Sequence, residues 1–158
     1  MCLDKGGNLA AFIFMGFKMS SLFKQFGTNK TAEVEGVKIQ YGLTDAGLPI
    51  SVTIARFGGD NTPATIDFIE RGKAKRQQLG VKELDETASR EILAENTAKT
   101  LIKGWENVQD KNGVEIPFTY ENVKNLLLEL PDFMFDIRAK CDRISTFQTE
   151  DDESTVKN

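Results

Sequence analysis

The chain has 158 residues, of which 40% are hydrophobic and 28% charged, with a formal net charge of -4 and a pI near 5.0. That length suits one domain with a sizeable core, and the acidic balance argues against a nucleic-acid binder, whose affinity rests on neutralising phosphates. The complete absence of histidine removes the commonest general base and metal ligand, and with them any imidazole-activated serine or cysteine nucleophile.

The two cysteines, Cys2 and Cys141, are too few for a zinc site or a disulfide framework. Cys141 reads as a small apolar residue on a helix. A lysine or carboxylate base remains open chemically, but the acidic residues are scattered. Glu91 and Glu95 share a helix face, as an ordinary solvated face would have it. No catalytic residue, cofactor site or metal site is expected.

Leu9 to Phe17 is an apolar run too short to span a bilayer. It lacks the basic flank and small-residue cleavage site of a signal peptide. It reads either as an extra docked helix or, the preferred reading, as sequence upstream of a biological start at Met19. Residues 1–18 are therefore assigned to an N-terminal extension, 19–147 to a single α+β domain and 148–158 to an acidic tail. That tail, Glu150-Asp151-Asp152-Glu153 onward, is too polar to order itself.

From Val37 the run through Ile39 and Tyr41 alternates with a strand's period, as do Ile50, Val52 and Ile54. Leu43 to Pro49 carries turn chemistry around Asp45 and Gly47, so the two runs form a hairpin or meander, closed by Gly58-Gly59. Thr62-Pro63 predicts a helix start with Thr62 as N-cap, and Ile66, Ile69 and Lys73 share a face beside Phe68. Gly72 predicts a break or kink, and Gly80 an end. The basic run Arg71 to Arg76 has two readings: complementing the helix dipole, or a docking patch for an acidic partner.

Asp85 predicts the cap of the next helix. Ala88, Ile92, Leu93, Ala98, Leu101, Ile102 and Trp105 recur at roughly helical spacing, predicting one long helix that ends at the tryptophan. Asp110 to Gly113 is a hairpin-type turn between Val108 and Val114 with Ile116. Thr119 caps a helix carrying Val123, Leu126, Leu127 and Leu130, and Pro131 stops it and starts another, whose apolar stripe runs to about Phe147. The fold class is α+β: an N-terminal β-hairpin or small antiparallel sheet, then about four packed helices.

Trp105-Glu106-Asn107-Val108, Asp110, Gly113, Ile116-Pro117-Phe118-Thr119, Glu121-Asn122, Leu127, Leu130-Pro131-Asp132 and Phe135-Asp136-Ile137 form an ordered pattern. Together with Phe26-Gly27-Thr28, Ile54-Ala55-Arg56 and Asp142-Arg143 before Phe147, it resembles the tail assembly chaperones of long-tailed bacteriophages. The resemblance runs from about Leu22 to Asn158. It implies a non-catalytic protein that coats the hydrophobic tape-measure protein and keeps it soluble until tail tube subunits polymerise around it. It further implies action in the host bacterial cytoplasm, absence from the mature virion, and in many phages a frameshifted longer product whose extension contacts the tail tube protein. Self-association stays open; no nucleic acid or membrane partner is expected. A minor structural tail or head–tail joining protein is the alternative.

A holdase needs an apolar groove or helix face rimmed by polar groups. Phe133, Met134 and Phe135 are three consecutive bulky residues, which cannot all face one core. With Leu127 and Leu128 they are the candidate partner-binding residues. Burial of all three between packed helices is the competing reading.

Overall fold

A computed structural model describes residues 21–148. The extension 1–18, the proposed start at Met19 and the run from Glu150 onward lie outside the described residues. Two short helices come first, α1 (Leu22–Phe26) and α2 (Lys30–Glu35), then strands β1 (Val37–Leu43) and β2 (Pro49–Ile54). The long helix α3 (Thr62–Leu79) and α4 (Glu86–Asn96) follow. A π-helical turn, Thr97–Leu101, leads into β3 (Ile102–Glu106), and α5 (Tyr120–Glu129), α6 (Pro131–Asp142) and a 3₁₀ turn (Ile144–Phe147) complete the order.

The strands form one antiparallel sheet in the order β1-β2-β3. Val37 pairs with Ile54 and Ile39 with Val52, and Val52 in turn faces Trp105. The β1–β2 turn closes as its composition predicts. Thr44 N–H donates to the Leu48 carbonyl at 2.8 Å, and Gly47 takes φ +79°, which glycine accepts without strain. Val52 and Ile54 are fully buried beneath the helices. They meet Leu101, Val123, Leu127, Met134, Ile137 and Phe147 in a single apolar core. The predicted hairpin and the four helices after it are present, so the α+β class holds.

The predicted helix through Trp105 does not run that far. α4 ends at Asn96, widens into the π turn and becomes a strand at Ile102. Two local forces end it. Thr100 Oγ1 donates back to the Asn96 carbonyl at 2.7 Å, a bond that loosens the helical ladder. Gly104 then disfavours continuing the helix, and β2 offers an open edge; tertiary pairing overrides a helical spacing.

Three smaller expectations also change. The N-cap of α3 is Asn61, one residue before Thr62, and its side chain donates to the Arg56 and Thr100 carbonyls instead of capping. α3 runs unbroken through Gly72 to the left-handed Gly80. Residues 22–35, given no secondary structure from sequence, fold into α1 and α2, the latter capped by Asn29, whose Oδ1 accepts from Ala32 N–H at 3.1 Å. The caps at Asp85 and Thr119 and the Pro131 helix junction stand as expected.

Candidate partner-binding surface

The five residues singled out from sequence separate into two groups. Leu127 and Met134 are completely buried in the core. On α6, Met134, Ile137 and Cys141 are spaced to face inward, so Phe135 points outward and is 49% exposed. Leu128 and Phe133 lie between these extremes, packed against the core edge. Phe133 meets Tyr41 edge to face at 5.3 Å between ring centres. Tyr41 in turn donates its hydroxyl to Asp136 Oδ2 at 2.6 Å. Hydrogen bonds from Lys140 and Tyr41 hold the Asp136 carboxyl below the usual carboxylate range, and burial beside that carboxylate pushes the tyrosine hydroxyl up. Three consecutive bulky residues do diverge, but only Phe135 is broadly available to a partner; Met134 and Leu127 reach one only if the core opens.

Among the described residues, the grooves on the helical body include the following three. One runs between α3 and α4, with a volume of about 510 Å³. Phe68 and Ile69 from α3, Leu84 from the connecting loop, and Ile92 and Leu93 from α4 give it an apolar lining. Gly72 lies along it, and Arg76 and Lys82 stand at its rim. A second, of about 590 Å³, lies over the π turn, where Ala98 and Ile102 meet Phe118, Tyr120, Lys99 and Lys103. A third, of about 540 Å³, lies between the Asp110 turn and the end of α5, lined by Ile116, Leu126 and Leu130.

Charge on these surfaces is unevenly matched. In the basic run of α3, Arg71 bonds Asp67 Oδ2 at 2.7 Å and Glu95 Oε2 at 2.8 Å, and Lys75 bonds Glu91 Oε2 at 2.9 Å. Lys73 and Arg76 make no ion pair among the described residues, nor does Lys82. The run therefore divides into side chains that staple α3 to α4 and side chains left for solvent. Beneath the α3–α4 pair, Asn96 Nδ2 donates to the Ala64 carbonyl at 2.9 Å, and its Oδ1 accepts from Arg138 at 3.1 Å. Arg138 also lies 5.0 Å from the Phe57 ring and 5.4 Å from the Phe68 ring.

Sequence reasoning missed the exposure of Ile66 and Ile69, at 51% and 61%, and of Phe118 and Tyr120, at 43% and 38%. A signal existed for the first pair: Ile66, Ile69 and Lys73 share a face, and a face that includes a lysine is a poor core face.

The fold and these surfaces define a small, mostly helical α+β domain with apolar grooves. The family described as YdaY prophage protein matches residues 64–158, more than half of the chain, and the chain belongs to that family. It is therefore a protein of phage origin. The match starts in the first turn of α3, so it includes all three grooves and leaves out the β1–β2 hairpin. No curated protein and no solved structure matches the chain.

Proposed function

We propose that this chain is a tail assembly chaperone that binds the tape-measure protein and keeps it soluble while tail tube subunits polymerise. The observation that carries the reading is the bulky apolar surface left on a domain whose core is already filled. Phe118, Leu130, Phe135, Ile66 and Ile69 are each at least 43% exposed. Apolar groups gathered on one face, as Ile66 and Ile69 are on α3, mark interaction sites, whereas apolar groups scattered singly do not. Membership of a prophage family supports a phage role, and the ordered Trp105-to-Ile137 pattern supports the finer one. The net charge of -4 keeps a protein that displays apolar surface from self-aggregation.

On this reading the protein binds and performs no catalysis. It acts in the host bacterial cytoplasm during infection and is left out of the mature virion. Its client is the tape-measure protein, and a longer frameshifted product would reach the tail tube protein.

Co-expression with the tape-measure protein of the same prophage tests the proposal. The client should be soluble only in the presence of this chain and should co-purify with it. Purified particles analysed by mass spectrometry should lack the chain. An insoluble, unbound client together with the chain in finished particles would overturn the reading in favour of a minor structural tail or head–tail joining protein.

A further inference from the structure

We infer that the α3–α4 groove is the seat for an amphipathic helix of the partner, one that carries carboxylates beside its apolar stripe. This deepens the chaperone reading and rests on it only for the identity of the client. Three observations converge on the groove.

The first is Gly72. It sits in the middle of an 18-residue helix and keeps an ordinary helical backbone. A side chain there would meet only the flexible end of Arg76, at 3.4 Å, an ordinary contact. Neither backbone geometry nor packing calls for glycine, and glycine weakens a helix interior relative to alanine. What glycine does provide is open space along the groove wall, where a partner's backbone can come close.

The second is the apolar lining. Phe68, Ile92 and Leu93 give the groove a hydrophobic floor, and Ile69 and Ile66 extend the apolar strip onto the exposed face of α3. A helix laid in a groove presents anchors at intervals of three and four residues, which such a strip accommodates.

The third is charge. Among the described residues, Arg76 and Lys82 stand at the rim without an ion pair and outnumber Glu83, the acidic residue that lines the groove with them. On a chain of net charge -4, a groove with a cationic rim selects a partner with acidic flanks and repels one with basic flanks.

The test uses the full chain and a synthetic amphipathic peptide of about 18 residues, or five helical turns. It has a leucine stripe, alanine at its centre and glutamate on both flanks. A second peptide replaces glutamate by lysine, and a third scrambles the first. The glutamate peptide should bind, and the lysine and scrambled peptides should bind at least about tenfold more weakly. Gly72→Leu should weaken binding of the glutamate peptide about tenfold or more. Gly72→Ala should raise Tm by a few degrees yet weaken binding. The double variant Arg76→Glu, Lys82→Glu changes two exposed side chains, so folding survives; it should reverse the preference between the charged peptides. Equal binding by the scrambled peptide, or unchanged affinity in both Gly72→Leu and the charge-reversed variant, would overturn the inference. So would a concentration-dependent dimer abolished by Gly72→Leu, since a second copy would then fill the groove. Co-purification with the tape-measure protein separates the two levels. If Gly72→Leu still captures it, the chaperone reading survives and the groove does not. If wild type fails to capture it but binds the glutamate peptide, the groove survives and the chaperone reading does not.

Discussion

Trp105 Nε1 donates a hydrogen bond to the Ile116 carbonyl at 2.9 Å. That bond bridges the loop between β3 and α5. Within the loop, Ile116 N–H donates to the Val108 carbonyl and Asp110 N–H to the Val114 carbonyl, each at 2.8 Å. The indole also meets Phe118 edge to face at 5.5 Å. One side chain thus fixes both the turn and the residue that precedes the Thr119 cap. Trp105→Phe should keep the ring contact but leave the Ile116 carbonyl without its donor. The expected loss is about 1 kcal/mol, read from the denaturant midpoint. Trp105→Ala should lose the packing as well, about 3 kcal/mol in total. Equal losses for the two would place the indole's contribution in the hydrogen bond, and no loss for Trp105→Phe would place it wholly in packing.

The same stretch marks where the sequence is legible and where it is not. Local chemistry announces itself. Asp85 and Thr119 accept from the backbone N–H groups three residues on, at 2.8 Å and 3.2 Å, and Gly80 and Pro131 end helices where their backbone preferences require. The path from Ala88 to Trp105 hides its change of state, because helical spacing of apolar residues says nothing about the empty edge of β2. Ile102 pairs with Ile54 and Trp105 with Val52, partners about fifty residues away in sequence. The partner surface was half legible. Periodicity shows that Phe133, Met134 and Phe135 diverge, whereas deciding which one meets solvent requires knowing which side of α6 the sheet and α5 occupy.

Glu33 is the buried charge whose role is most readily isolated. It is 2% exposed. It accepts from Thr28 and Arg56 side chains and, through Oε2, from Asp60 N–H at 2.6 Å. It thereby ties α2 to the loop after β2. Gly59 in that loop has φ +56°, and any side chain there would collide with the Glu33 carboxylate. Burial raises the Glu33 carboxyl, but the Asp60 N–H, the Thr28 hydroxyl and the Arg56 guanidinium outweigh it and hold the group below its ordinary value of 4.5. A depressed carboxyl stabilises the fold above the unfolded value, and the contribution is lost as pH falls through the folded value. Glu33→Gln should therefore cost about 3 kcal/mol near neutral pH. The gap between wild type and variant should narrow as pH falls below 4.5. Urea unfolding of both proteins across that range checks it, and a gap independent of pH would refute the assignment.

Cys141 is completely buried on α6, and burial pushes its thiol up to about 12. The thiolate, not the thiol, reacts with disulfide reagents. In a Cys2→Ser background, native protein should give no fast thiol titration at neutral or mildly alkaline pH. Guanidinium should release one equivalent. A prompt native reaction would mean that α6 opens readily from the core, which would also make Met134 and Leu127 reachable by a partner.

Met134 and Phe135 adjoin in sequence but differ in what they can report. Met134 is fully buried and Phe135 is 49% exposed. Met134→Ala leaves a cavity among Leu127, Ile137 and their neighbours and should cost about 2–5 kcal/mol. Phe135→Ser removes a side chain that already stands half in water and should change stability by about 0.5 kcal/mol or less. Altering both residues at once would confuse unfolding with loss of binding. The two single changes separate them. If Phe135 contacts the tape-measure protein, Phe135→Ser should reduce co-purification of the client while Tm stays within a degree or two of wild type. Full capture by Phe135→Ser, with capture lost in the α3–α4 groove variants, would instead place the client contact on the α3–α4 pair and leave Phe135 as ordinary surface.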